Sequence, residues 1–204
     1  MDMSKIIAIG ATVTLVAVVG GAFAVIQMMT HTLADCSTSA VGGDAIGGPF
    51  ELIDETGRTV TDVDVITKPA LIYFGYTFCP DVCPLDAARN AAAVDILAER
   101  GIDVTPVFIT IDPARDTPQR VGEYTDYFHP DMIGLTGSDA QIAAASKAYR
   151  TFYSRQDDDP DYYLMQHSTF SYLTLPDIGF VEFFRQVDSP EKVADSIACF
   201  AAAS

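Results

Sequence analysis

Strands and helices alternate along the last three-quarters of this sequence, which predicts an α/β domain. Three observations carry the reading. Ala70 to Tyr76 is an unbroken apolar run of the kind that forms a buried strand, and Val104 to Ile111 reads as a second buried strand. Each is followed by a segment of helical pattern with a recognisable start or stop. Ahead of the domain, residues 6–29 hold 24 residues without a charge, enough to cross about 30 Å of hydrocarbon as one helix.

The elements follow in order. Residues 1–29 are expected to be a membrane anchor, because an uncharged run this long exceeds the 7–15 residues of a cleavable leader. Lys5 is the only Lys or Arg close to either end of the run, so orientation favours an N-terminus in the cytoplasm and a domain outside it. Residues 30–48, polar and rich in Gly, read as a flexible tether. Pro49–Ile53 and Arg58–Asp62 flank Asp54-Glu55-Thr56-Gly57 and predict a β-hairpin. After the strand at Ala70–Tyr76, a helix is expected from Pro84 to Glu99, stopped at Gly101. Asp116-Thr117-Pro118 caps the next helix, to about Phe128, with Pro at its first position.

Met132–Leu135 predicts a short strand, and Ser138 opens a helix through Tyr149. Thr151–Ser154 and Tyr162–Met165 read as strands around the acidic loop Gln156–Asp161. Ser168–Leu175 and Phe180–Arg185 form a second hairpin around Pro176-Asp177-Ile178-Gly179, and a last helix runs from Ser189 to about Ala202. This order matches a thioredoxin-like domain over residues 49–204, with an N-terminal β-hairpin in front and an insertion before the last hairpin.

Charge excludes one class of partner. Twelve basic residues against 28 acidic give −16, so no nucleic acid partner is expected, since phosphate binding needs Lys and Arg.

Chemistry concentrates in Phe78-Cys79-Pro80-Asp81-Val82-Cys83-Pro84, where a strand hands over to a helix. Four residues apart, both sulfurs are expected on one face of a first helical turn, whose N-terminus favours thiolate. Cys79 and Cys83 are thus candidates for a redox-active pair or for a soft metal site. Three histidines compete as a third ligand. His31 lies at the membrane end, and His129 closes a surface helix. His167 stands just before an apolar strand, opposite the first helix of such a fold. Two thiolates with one imidazole suit Cu(I) and can hold Cu(II), whereas a closed zinc site wants a fourth ligand.

Several segments together resemble the Sco/SenC copper-chaperone family of cytochrome c oxidase assembly. They are Phe74 to Pro84, Ile109 to Pro118, Gly134-Leu135-Thr136-Gly137, Ala148-Tyr149-Arg150 and His167-Ser168-Thr169. The resemblance covers about Gly48 to Ala198. It implies a membrane-anchored domain on the periplasmic or intermembrane-space side, and a single-pass protein of the bacterial inner membrane with its domain in the periplasm is expected ahead of one of the mitochondrial inner membrane. It further implies one copper, held by Cys79, Cys83 and His167, and delivery to the CuA centre of cytochrome c oxidase subunit II. A copper donor protein and a thiol reductant would complete the partners. Asp112 matches an acidic residue near the family's site and is expected either to orient the site or tune its charge, or to cap a helix or hold its loop. Gln166 departs from the family, many of whose members carry an acid before the histidine. A thiol–disulfide oxidoreductase that keeps the CuA-site cysteines reduced is the alternative function.

Cys36 and Cys199 stand apart from this site. In an oxidising compartment they are either bridged, closing a very long loop, or left as two unpaired thiols.

Overall fold

The computed structural model describes residues 33–37, 46–156, 159 and 162–204. The anchor expected over residues 1–29, with its span at 6–29, lies outside them. Among the described residues no helix is long and apolar enough to cross a membrane. Within the expected tether, Leu33–Cys36 forms a helical turn (α1) packed on the last helix, and Cys36 is disulfide-bonded to Cys199.

A seven-stranded sheet organises the domain. Its strands are β1 (Glu51–Asp54), β2 (Thr59–Thr61), β3 (Ala70–Gly75), β4 (Thr105–Thr110), β5 (Ile133–Thr136), β8 (Ser171–Leu175) and β9 (Gly179–Phe184). They lie in the order β2-β1-β5-β4-β3-β8-β9, with β3, β4 and β5 parallel and the flanking pairs antiparallel. Every residue of β3 and β4 is buried, which explains why β3 is apolar throughout and β4 apolar between its terminal threonines.

Helix α3 (Val82–Glu99) links β3 to β4, and α4 (Pro118–Phe128) links β4 to β5. Helix α5 (Asp139–Ala148) follows β5, and α6 (Pro190–Ala203) ends the chain. Leu71, Leu97, Leu173, Val193, Ile197 and Phe200 pack one face of the sheet under α3 and α6. Ile72, Phe74, Phe108, Val121, Leu135 and Ile142 pack the other under α4 and α5. Thr117, Ser138 and Ser189 cap α4, α5 and α6, each side chain accepting from the amide three residues on.

Four boundaries differ from expectation, each for a local reason. The second hairpin strand stops at Thr61, where Thr61 and Asp64 form a reciprocal cap that turns the chain into α2 (Asp62–Val65). Helix α3 begins at Val82 rather than Pro84. Pro84 fits its first turn, where no amide hydrogen is required. The insertion hairpin lies two or three residues later than expected, as β6 (Tyr153–Arg155) and β7 (Met165–His167). It forms a separate two-stranded sheet of three-residue strands only half-buried, so little in the sequence fixed its register. Strand β8 opens at Ser171 because Ser168 is taken up by Phe152, donating its amide to the Phe152 carbonyl and accepting the Phe152 amide.

Candidate metal centre

The site forms where β3 ends. Beyond Gly75 the chain makes a tight turn in which the Cys79 amide donates to the Tyr76 carbonyl at 3.2 Å. A buried carboxylate holds this turn from beneath. Asp116 accepts from the Thr77 amide at 3.0 Å, the Thr77 hydroxyl at 2.5 Å and the Thr110 hydroxyl at 2.6 Å. Asp116 therefore faces inward, and capping of α4 belongs to Thr117. Nothing in the sequence around Asp116 distinguishes this role from a helix cap.

Cys79 is not in the first helical turn, as its spacing from Cys83 had suggested. It precedes α3, and Cys83 is the helix's second residue. The side chain of the N-cap residue Asp81 makes no capping hydrogen bond. The Cys83 amide instead donates to the Cys79 sulfur at 3.4 Å, so the sulfur itself caps the helix. This hydrogen-bonded position holds the Cys79 thiol down to about 3, foremost through the bond it shares with Cys83 and next through His167, against the opposing effect of burial. Cys83 moves the other way. Its fully buried thiol is pushed far up, first by desolvation and then by the negative sulfur of Cys79. The pair thus carries one thiolate, half-buried, and one buried thiol.

His167 arrives from the insertion. It ends β7, paired with Tyr153 across the hairpin. Its Nδ1 lies 2.8 Å from the Ser168 carbonyl, which can only accept, so Nδ1 carries the hydrogen. Nε2 is then the ring nitrogen able to present a lone pair, and it stands 3.3 Å from the Cys83 sulfur. The rings of Tyr73 and Tyr76 flank the imidazole edge-on, at 6.2 Å and 5.9 Å between centroids. The Met165 amide donates to the Tyr76 hydroxyl at 3.3 Å, which ties β7 to the end of β3. One ligand-capable atom from each of Cys79, Cys83 and His167 lies within 4.8 Å of the other two.

The remaining expected residues take partners of their own. Asp112 bonds neither sulfur nor imidazole in the structure. It accepts from Arg115 Nε at 2.5 Å and from the Tyr163 hydroxyl at 2.6 Å. The Arg115 guanidinium stacks on Tyr163 at 3.6 Å and on Phe78 at 4.7 Å. Asp112 therefore pins the insertion to the cysteine loop through Arg115. Gln166 is exposed on the face of β7 opposite His167, where it accepts from Gln156. His129 terminates α4, as expected, with Nε2 3.4 Å from Asp95.

Gly75 was not singled out by its sequence. A β-carbon there would meet a Tyr73 ring carbon at 2.8 Å and the Cys83 sulfur at 3.1 Å, so only glycine lets the thiol sit against β3.

Comparison with known proteins places this geometry. Residues 38–202 match the family model described as SCO1/SenC. The chain is 54% identical over 200 residues to "Protein SenC" of Rhodobacter capsulatus, covering 97% of this chain and 90% of that protein. Among solved structures, Arabidopsis thaliana ScoI with copper bound superposes with a TM-score of 0.71 at 43% identity, over 75% of this chain and 96% of that one. Bradyrhizobium japonicum ScoI with copper bound gives 0.69 at 37% identity, over 76% of this chain and 99% of that one.

Proposed function

The chain belongs to the SCO1/SenC family, and on that premise we propose that it binds one copper ion through Cys79, Cys83 and His167 and serves assembly of cytochrome c oxidase. The observation that carries the reading is the meeting of two sulfurs and one imidazole nitrogen at a single point. Soft ligands in so low a number favour Cu(I) and tolerate Cu(II). Copper is cargo here. It takes the place of the proton between the Cys83 sulfur and His167 Nε2, while Cys79 supplies a sulfur already ionised.

Three protein ligands leave the metal open to a fourth, so an incoming thiolate can displace them stepwise. Cys79 borders an open cleft of about 510 Å³ lined by Arg120, Glu123, Tyr124 and Tyr127, which offers an acceptor its approach. We assign the acceptor as the CuA centre of oxidase subunit II, loaded from a copper donor protein. A thiol reductant is needed, because oxidation of Cys79 and Cys83 to a disulfide removes two ligands. Residues 6–29 anchor the chain in the bacterial inner membrane with the domain in the periplasm, a reading supported by Lys5 and the uncharged run after it.

One observation favours a second reading. A half-buried thiolate beside a buried thiol is also the asymmetry of a nucleophile and its resolving partner in thiol–disulfide exchange. Copper stoichiometry on the reduced protein separates the two. One copper per chain, lost in Cys79→Ser, Cys83→Ser and His167→Ala, supports the chaperone. Binding indifferent to His167, beside fast dithiol exchange, replaces it with the oxidoreductase.

A further inference from the structure

Two buried polar atoms directly beneath the sulfur pair have no hydrogen-bond partner: the Tyr73 hydroxyl and Oδ2 of Asp86. Both residues are 1% exposed. Leaving such groups unpaired costs roughly 1–3 kcal/mol each, so their persistence calls for a use. Asp86 lies one turn along α3 from Cys83, on the same buried face. Its Oδ1 is 3.3 Å from the buried Arg89, which is itself held by Ser171 at 2.7 Å and by the Arg185 carbonyl at 2.5 Å. Oδ2 is the oxygen left over.

Tyr73 stands between this carboxylate and the site. Its ring and the Cys83 sulfur crowd the same point above Gly75, at 2.8 Å and 3.1 Å, and the ring packs edge-on against His167. A phenol carries its hydrogen at neutral pH, and burial disfavours its ionisation further. The hydroxyl therefore holds one hydrogen with two acceptors beside it, a sulfur and a carboxylate oxygen.

We propose that Tyr73 is a positioning residue for Cys83, whose hydroxyl donates to the Cys83 sulfur when that sulfur is a metal-bound thiolate. In the metal-free form that hydrogen is unpaired, as is Asp86 Oδ2. Copper binding gives the hydroxyl its partner, the Cys83 thiolate. The metal-bound form thereby gains a charge-assisted hydrogen bond that the metal-free form lacks. This inference rests on the copper-binding reading above.

The test uses the full chain, reduced, in mild detergent. Cu(I) affinity is measured by competition with a chromogenic chelator for wild type, Tyr73→Phe and Tyr149→Phe, the last removing a buried hydroxyl away from the sulfurs. Tyr73→Phe should bind about tenfold more weakly, as expected for one hydrogen bond to a charged group. Its Cu(II)–thiolate charge-transfer band should move to longer wavelength, because an unbonded sulfur is the better electron donor. Tyr149→Phe should match wild type in both. A Tyr73→Phe protein with wild-type affinity and an unmoved band overturns the inference. A wild type that binds no copper overturns the copper-binding reading, and this inference with it. Should Tyr73→Phe not fold, proton NMR of the wild type decides. A slowly exchanging Tyr73 hydroxyl proton that shifts on Cu(I) loading supports the proposal, and one that does not move overturns it.

Discussion

Nε2 of His167 stands 3.3 Å from the Cys83 sulfur although 84 residues separate them in the chain. The imidazole rides on a two-stranded hairpin outside the main sheet, so its position depends on the contacts that tie this hairpin to the end of β3. One of these is the bond from the Met165 amide to the Tyr76 hydroxyl. Tyr76→Phe removes it while keeping the ring. The expected result is copper binding weaker by about tenfold, the scale seen when a ligand loses its support. Alkylation of Cys79 should stay close to wild type, which a chelator competition and a thiol-modification assay on one preparation will check.

The low pKa of Cys79 sets a pH dependence. Its folded value, about 3, lies below that of the unfolded chain, so it contributes stability to the reduced protein above the unfolded value. That contribution is lost as pH falls through the range down to about 3. Cys83, shifted up, works in the opposite sense: its contribution is present below the unfolded thiol value and is lost as pH rises beyond it. Iodoacetamide should therefore modify Cys79 at a nearly constant rate from pH 8 down to about 4, with Cys83 unreactive. A rate rising tenfold per pH unit up to 8 would show an ordinary thiol instead.

Gly75→Ala tests the close approach of sulfur to strand. The added methyl meets a rigid ring and a sulfur in fully buried surroundings, so neither yields freely. Overpacking of this kind costs about 1–3 kcal/mol. Thermal denaturation should show the loss, and the displaced Cys83 sulfur should lower copper affinity in the same variant.

Much of this architecture is legible in the sequence where burial is uniform. Ala70–Gly75 is a continuous apolar strand, and Thr105–Thr110 is apolar between its end threonines, because helices cover both faces, and Thr117, Ser138 and Ser189 mark helix starts by their own chemistry. The three residues brought forward as a candidate site, Cys79, Cys83 and His167, do meet. The register of the insertion was not legible, because Tyr153–Arg155 and Met165–His167 are short strands outside the main sheet and only half-buried, which leaves little period to read. The supporting residues were hidden for another reason. Asp116, Tyr73 and Gly75 act by direction and distance, and a carboxylate turned into a loop reads in sequence like one turned to solvent.

The bond between Cys36 and Cys199 joins residues 163 apart and ties the α1 turn to α6. In the chain-entropy model, closing so long a loop in the unfolded state is worth about 5 kcal/mol. Cys199→Ser should remove most of this, lowering the melting temperature by roughly 10 °C for a domain of this size. Cys36 and Cys199 border the cluster under α3 and α6, whereas Cys79 and Cys83 border the cluster under α4 and α5. The variant should therefore keep wild-type copper stoichiometry. Calorimetry of the oxidised wild type beside Cys199→Ser measures the first effect, and copper analysis of the same samples the second. A melting temperature unchanged by the substitution would mean that the loop is already restricted in the unfolded chain.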